Sequence, residues 1–166
     1  GIVHRDVKPD NLMVVKDRLF VMDFGLARLA DARISASGMA IGTPAYMSPE
    51  QARGDPADAR ADIWGLGATL YELLTNQSPF GDGSPFDLLM RVIESEPAPP
   101  RSVDPSIDRD LQTIVLTCLE KEPARRYATA DALADDLQRW LDGDAIAARP
   151  AGPWTRFRKR LAKRRA

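Results

Sequence analysis

The densest group of reactive side chains is His4-Arg5-Asp6-Val7-Lys8-Pro9-Asp10-Asn11, followed twelve residues after Asn11 by Asp23-Phe24-Gly25. This stretch holds carboxylates that accept protons or bind hard cations, a lysine that neutralises anionic charge, and an amide oxygen that is one more donor to a metal. Taken singly, an Asp beside Pro-Asp-Asn is an ordinary turn former. Further motifs follow in order: Gly42-Thr43-Pro44-Ala45-Tyr46-Met47-Ser48-Pro49-Glu50, then Asp62-Ile63-Trp64-Gly65-Leu66-Gly67, then Pro123-Ala124-Arg125-Arg126. Composition removes other chemistries. A single histidine, His4, excludes a His-based metal site. A single cysteine, Cys118, excludes an internal disulfide framework or a zinc cluster and points to a reducing compartment.

In this order and spacing the set resembles the protein kinase family, over nearly all of residues 1–142. The resemblance matches the first stretch to the catalytic loop, Asp23-Phe24-Gly25 to the metal-binding turn, and Gly42 to Glu50 to the end of the activation segment. It implies phosphoryl transfer, which asks a protein mainly for positioning and charge neutralisation. By the match, Asp6 accepts or orients the substrate hydroxyl proton and Lys8 neutralises charge on the transferred phosphate. Asn11 and Asp23 are implied to hold Mg²⁺ (or Mn²⁺) against the phosphates of ATP. Lysine at position 8 is the pattern of Ser/Thr rather than Tyr kinases, so the implied partners are ATP and proteins that present Ser or Thr. Gly25 frees the backbone after Asp23, and Phe24 anchors that turn. His4 is implied to pack and hydrogen-bond rather than react. Asp62 resembles the residue that holds the catalytic loop from the central helix, and Arg126 the arginine that pairs with Glu50.

The same resemblance carries regulatory expectations. Arg5 directly before Asp6 resembles the arrangement controlled by activation-loop phosphorylation, in which the arginine pairs with a phosphate. Ser35 and Ser37 stand where bacterial relatives are phosphorylated, although Ser and Gly are also plain loop formers, and a dimer for autophosphorylation is the implied partner. Thr43 resembles the residue that touches both the base and Lys8. Asp10 favours a basic residue in the substrate. Gly42 to Gly54 is similar to the eukaryotic-like Ser/Thr kinases of bacteria, with Ser48 where Ala is frequent. Tyr127 stands where Pro is frequent. Both departures are expected to matter little. The rival reading is a non-catalytic pseudokinase or docking scaffold. Intact Asp6, Lys8, Asn11 and Asp23 argue against it, and a degenerate lysine or glycine loop upstream would revive it.

The elements that must position these residues are mostly helical. Two short apolar runs, Leu12–Val15 and Leu19–Met22, flank Lys16-Asp17-Arg18 as in a small hairpin. Leu26 to Ser48 shows no sustained period and reads as a long functional loop. Asp62 to Thr75, with Ile63, Trp64, Leu66, Leu70, Leu73 and Leu74, is too apolar for a surface helix and reads as a central one. Ser84 caps a helix with Phe86, Leu89, Met90 and Ile93 on one face. A Pro-rich connector, Pro97 to Pro105, follows it. Leu111, Ile114, Val115, Cys118 and Leu119 repeat the spacing, with Cys118 a small buried hydrophobe. Thr129 caps a last helix with Leu133, Leu137, Trp140 and Leu141 on one side. The two tryptophans Trp64 and Trp140 and the leucine stripes are assigned to the core. The expected fold class is mainly α, the C-terminal lobe of the α+β protein-kinase fold with a short β-hairpin and without its N-terminal lobe.

The charge balance is divided along the chain. The 18 residues from Arg149 to Ala166 hold 8 bases and no acid, while the rest holds 15 bases against all 24 acids, a balance of −9. Residues 1–142 are therefore read as the lobe and 143–166 as a basic tail. Trp154 to Arg165 interleaves bases with two aromatics and resembles the juxtamembrane stretch of bacterial Ser/Thr kinases. Lys and Arg there would face the cytoplasm and bind anionic lipid, with a membrane span expected after residue 166. A merely solvated tail is the second reading. Nucleic-acid binding is the third and is not expected, because the body is acidic. No apolar run reaches the roughly 18 residues of a span. The glycine-rich loop, strand lysine and helix glutamate of an N-terminal lobe are expected upstream of Gly1. The isolated chain is accordingly expected to bind ATP weakly and to have negligible activity.

Overall fold

The computed structural model describes residues 2–23 and 44–150. Phe24, Gly25, Ser35, Ser37, Thr43 and the Trp154 to Arg165 stretch lie outside them. Two antiparallel strands, β1 (Leu12–Val15) and β2 (Arg18–Val21), pair Leu12 with Val21 and Val15 with Arg18. The connection is the two residues Lys16 and Asp17, at φ 48° and 62°. Two consecutive positive φ values match the strand twist, so Arg18 joins the ladder and β2 starts one residue earlier than the apolar run suggests.

The rest is helical: α1 (Pro49–Arg53), α2 (Arg60–Thr75), α3 (Pro85–Glu94), α4 (Pro100–Val103), α5 (Arg109–Cys118) and α6 (Ala130–Asp142). The Pro-rich connector contains α4, begun by Pro100, whose fixed φ suits a first helical position. Ser84 accepts from the Asp87 amide and Thr129 from the Ala132 amide, so both sequence-read caps are made.

α2 runs between two cores. On one side Trp64, Ala68 and Tyr71 pack with Phe80, Val92, Val115 and Leu119. On the other, Ile63 meets Ile114, Cys118, Tyr127 and Leu133. Its glycines set how closely its neighbours come. A Cβ on Gly65 would stand 2.6 Å from the Val7 carbonyl oxygen, and one on Gly67 would overlap the Cys118 Cβ. Gly65 therefore admits the loop that carries Asp6, and Gly67 admits α5.

Three apolar stripes differ from expectation. In α3 the buried residue is Val92, with Leu88 packed behind it, while Phe86 is 70% exposed. Asp87, Arg91 and Glu94 share one side of that helix, and the apolar arc left over is wider than one contact face, so period alone does not choose the residue buried. Leu73 of α2 is 73% exposed and Leu141 of α6 69% exposed, whereas Trp140 and Leu137 pack only partly against the second core. Cys118 is fully buried, and that burial pushes its thiol far up.

Packing continues beyond α6. The Asp136 side chain is fully buried and accepts from the Ala147 amide (2.7 Å), the Ala148 amide (2.8 Å), the Tyr127 hydroxyl (2.9 Å) and Arg139 (2.8 Å). Ile146 and Ala148 lie against the second core. The first residues after Gly143, read from sequence as the start of a tail, are strapped to the lobe. Tyr127, expected to be a mild change, supplies one of the donors. Burial alone would raise the Asp136 carboxyl, but the Ala147 and Ala148 amides, the hydroxyl and Arg139 outweigh it and hold the carboxyl below its ordinary value. A carboxyl depressed below its unfolded value of ~3.9 stabilises the fold above that pH and ceases to do so as pH falls through the folded value. Asp136→Asn is expected to lower the urea midpoint at pH 7 and to lose less than the parent between pH 6 and pH 3.5. Equal acid losses in both proteins would refute the assignment.

Candidate active site

The loop from His4 to Asn11 is held from α2, from the hairpin and from within by a set of hydrogen bonds. Asp62, in the first turn of α2, accepts from the His4 amide (2.8 Å) and the Arg5 amide (2.6 Å). His4 is buried; its Nε2 donates to the Met22 carbonyl (2.7 Å) while Nδ1 accepts from the Asp6 amide (3.2 Å). These two partners together require the Nε2–H tautomer. The Asn11 carbonyl accepts from the Met22 amide (2.8 Å), so the hairpin returns the chain to the loop and sets Asp23 down directly after it. Arg5 (φ 67°) and Asp23 (φ 61°) sit in the left-handed region. Such non-glycine residues cost about 1–3 kcal/mol each and persist where the surroundings over-determine them.

Within this frame Asp6, Lys8 and Asn11 converge. Lys8 Nζ lies 2.9 Å from Asp6 Oδ2. The buried Asn11 amide donates to Asp6 Oδ2 (3.0 Å) and to the Asp6 carbonyl (2.7 Å). Both donors converge on one carboxylate oxygen, and among the described residues Asp6 Oδ1 accepts nothing. With Nδ2 so committed, the Asn11 side-chain oxygen points away from Asp6 and likewise accepts nothing among the described residues. No group of three or more His, Cys, Asp or Glu among the described residues forms a metal cage. The donor set of one amide oxygen and one exposed carboxylate, Asp23, still fits Mg²⁺, which takes one or two protein oxygens and fills its shell with phosphate and water.

The chain from Pro44 onward is fastened by its own contacts. A turn over Pro44–Tyr46 leads to Ser48, which is fully buried and caps α1. Ser48 and Gln51 form a reciprocal capping box, so Ser48 does more than occupy the space of an Ala. The Ser-x-x-Gln pattern was the sequence signal for it. Glu50 and Arg126 form a bidentate pair, both bonds 2.7 Å, with the Arg126 side chain wholly buried and Glu50 nearly so. Arg126 further donates to the Arg60, Glu120 and Lys121 carbonyls. Tyr46 donates to Glu72, a pair the motifs did not reveal. Burial, then that bond, then the charges of Glu72 and Asp10 push the Tyr46 phenol well above its ordinary range.

The sequence matches the family described as protein kinase domain over residues 1–138. The chain belongs to the protein kinase family. It is 43% identical over 148 residues to serine/threonine-protein kinase PknB of Mycobacterium tuberculosis (strain ATCC 25177 / H37Ra), covering 87% of this chain and 24% of that protein. It is 42% identical over 180 residues to probable serine/threonine-protein kinase PknB of Corynebacterium glutamicum, covering 98% and 28%. To probable serine/threonine-protein kinase SCO3848 of Streptomyces coelicolor it is 43% identical over 155 residues, covering 91% and 23%. The kinase chain thus spans about a quarter of the length of these relatives. Its described residues, mainly helical with one antiparallel hairpin, have the build of the C-terminal kinase lobe.

Proposed function

We propose that this chain is the catalytic C-terminal lobe of an ATP-dependent protein Ser/Thr kinase acting in signalling. One observation carries the reading: Lys8 and Asn11 bind the same oxygen of Asp6 and leave the other open. A carboxylate held on one side and open on the other is placed to take the proton of a substrate hydroxyl. Lys8 also brings positive charge to the site where the phosphate would pass. Asn11 and Asp23 are the residues that would hold Mg²⁺ or Mn²⁺. The ion, when bound with ATP, supplies charge neutralisation on the phosphates. The test is transfer of labelled phosphate from MgATP to Ser/Thr substrates by the full-length protein, with the 166-residue chain assayed beside it. We expect turnover by the first and negligible turnover by the second. An inactive full-length protein that still binds partners would favour the scaffold reading instead.

Arg5 is assigned to pair with a phosphate on Ser35 or Ser37, written there by a second copy in a dimer. Thr43 is assigned to a place beside Asp6 and Lys8. The 8 bases from Arg149 onward support residence at the cytoplasmic face of a membrane, on anionic lipid at about 1 kcal/mol per base near the surface. A run of about 20 apolar residues soon after Ala166 would support an anchor there, and a polar continuation would remove it.

A further inference from the structure

Gln51 has no part in the chemistry above, yet its side chain joins the start of α1 to the loop that carries Asp6. Its Oε1 accepts from the Ser48 amide (3.1 Å) and the Ser48 hydroxyl (2.9 Å). Its Nε2 donates to the Arg5 carbonyl (2.8 Å). That carbonyl belongs to the peptide plane whose amide is Asp6 N, and Asp6 N is held by His4. Both polar atoms of the plane from which Asp6 departs are therefore fixed by side chains. One hydrogen bond comes from within the loop and one from α1. Asp62 holds only the preceding amides. Arg5 meanwhile sits at φ 67°, a conformation that relaxes when its restraints are removed.

We propose that Gln51 is a positioning residue for Asp6, fixing the Arg5–Asp6 peptide so that the open carboxylate oxygen keeps its aim, and that it ties this aim to the capped start of α1. The proposal rests on the kinase reading above. The amide is the one side chain that serves both ends, because it accepts from Ser48 and donates to Arg5 at once.

The test uses the full-length kinase. Gln51→Glu keeps an acceptor for the capping box, where Glu is as suitable as Gln, but faces the Arg5 carbonyl with an oxygen. Gln51→Met keeps the length with no polar atom and guards against a fold lost to repulsion. Both are expected to lower kcat roughly tenfold to a hundredfold, the scale of a misaimed catalytic group, with KM for ATP within about twofold. Thr129→Ala, a lost cap far from the loop, gives the stability comparison: a lower thermal midpoint with kcat unchanged. Hydrogen exchange of the peptide covering His4 to Asn11 is expected to quicken in Gln51→Met and not in Thr129→Ala. Parent-like kcat in both Gln51 variants, or a loss that only tracks the unfolded fraction, would overturn the proposal. If the parent shows no transfer that depends on Asp6, the kinase reading fails instead, and unchanged exchange in Gln51→Met would then overturn the positioning role by itself.

Discussion

Asp6→Asn in the full-length protein is expected to lower kcat roughly 10²- to 10⁴-fold, the range for loss of a positioned general base, while leaving KM for ATP and the thermal midpoint near the parent's. Asparagine keeps the shape and an oxygen for Lys8 and Asn11, which stand 2.9 and 3.0 Å from Asp6 Oδ2. What it loses is the charge and the basic oxygen that the pair leaves open. The measurement is steady-state transfer with both substrates varied. A variant within tenfold of the parent would mean that the proton leaves by another route and that Asp6 is not the base.

Arg126→Ala is expected to lower unfolding free energy by about 3–5 kcal/mol, the cost of stranding a buried charge. Burial pushes the Glu50 carboxyl up, but the Arg126 bonds, the Glu50 amide, the Arg126 charge and Ser48 together reverse this and hold it below its ordinary value. Without the guanidinium, only the Glu50 amide and the Ser48 hydroxyl are left to favour the charged form against that burial. The Arg60, Glu120 and Lys121 carbonyls lose a donor in the same step. The double variant Glu50→Leu with Arg126→Met, which removes both charges, is expected to recover part of the loss, because an apolar pair can replace a buried ion pair. Chemical denaturation of parent, single and double variants decides it. A single-variant loss below 1 kcal/mol would show the pair to be dispensable.

The residues of the candidate site were legible because they are close in sequence. Asp6, Lys8 and Asn11 meet within one loop, and Ser84 and Thr129 cap helices they immediately precede. What escaped depends on partners brought from afar. The α3 face was misread because Phe86, Leu88, Leu89, Met90, Val92 and Ile93 allow more than one stripe, and the packing of α1 and the Pro44–Tyr46 turn against the helix, with the first core beyond, selects Val92. Asp136 reads as one more surface acid of a polar helix, since two of its partners are backbone amides of Ala147 and Ala148, which no residue type advertises. Gln51 was passed over in the sequence, and its link to the loop appears only when the Arg5 carbonyl arrives beside it.

The two glycines of α2 stand two residues apart, about 200° around a helix, and so face opposite ways. With Val7 against one and Cys118 against the other, the helix has no lateral slack. A methyl added on either side has to be absorbed by sliding α2 toward the opposite contact. The two contacts therefore share one degree of freedom, the sideways position of the helix. Substitutions at Gly65 and Gly67 should then couple rather than add. A residue facing α5 would be felt at Val7, one peptide from the Asp6 carboxylate.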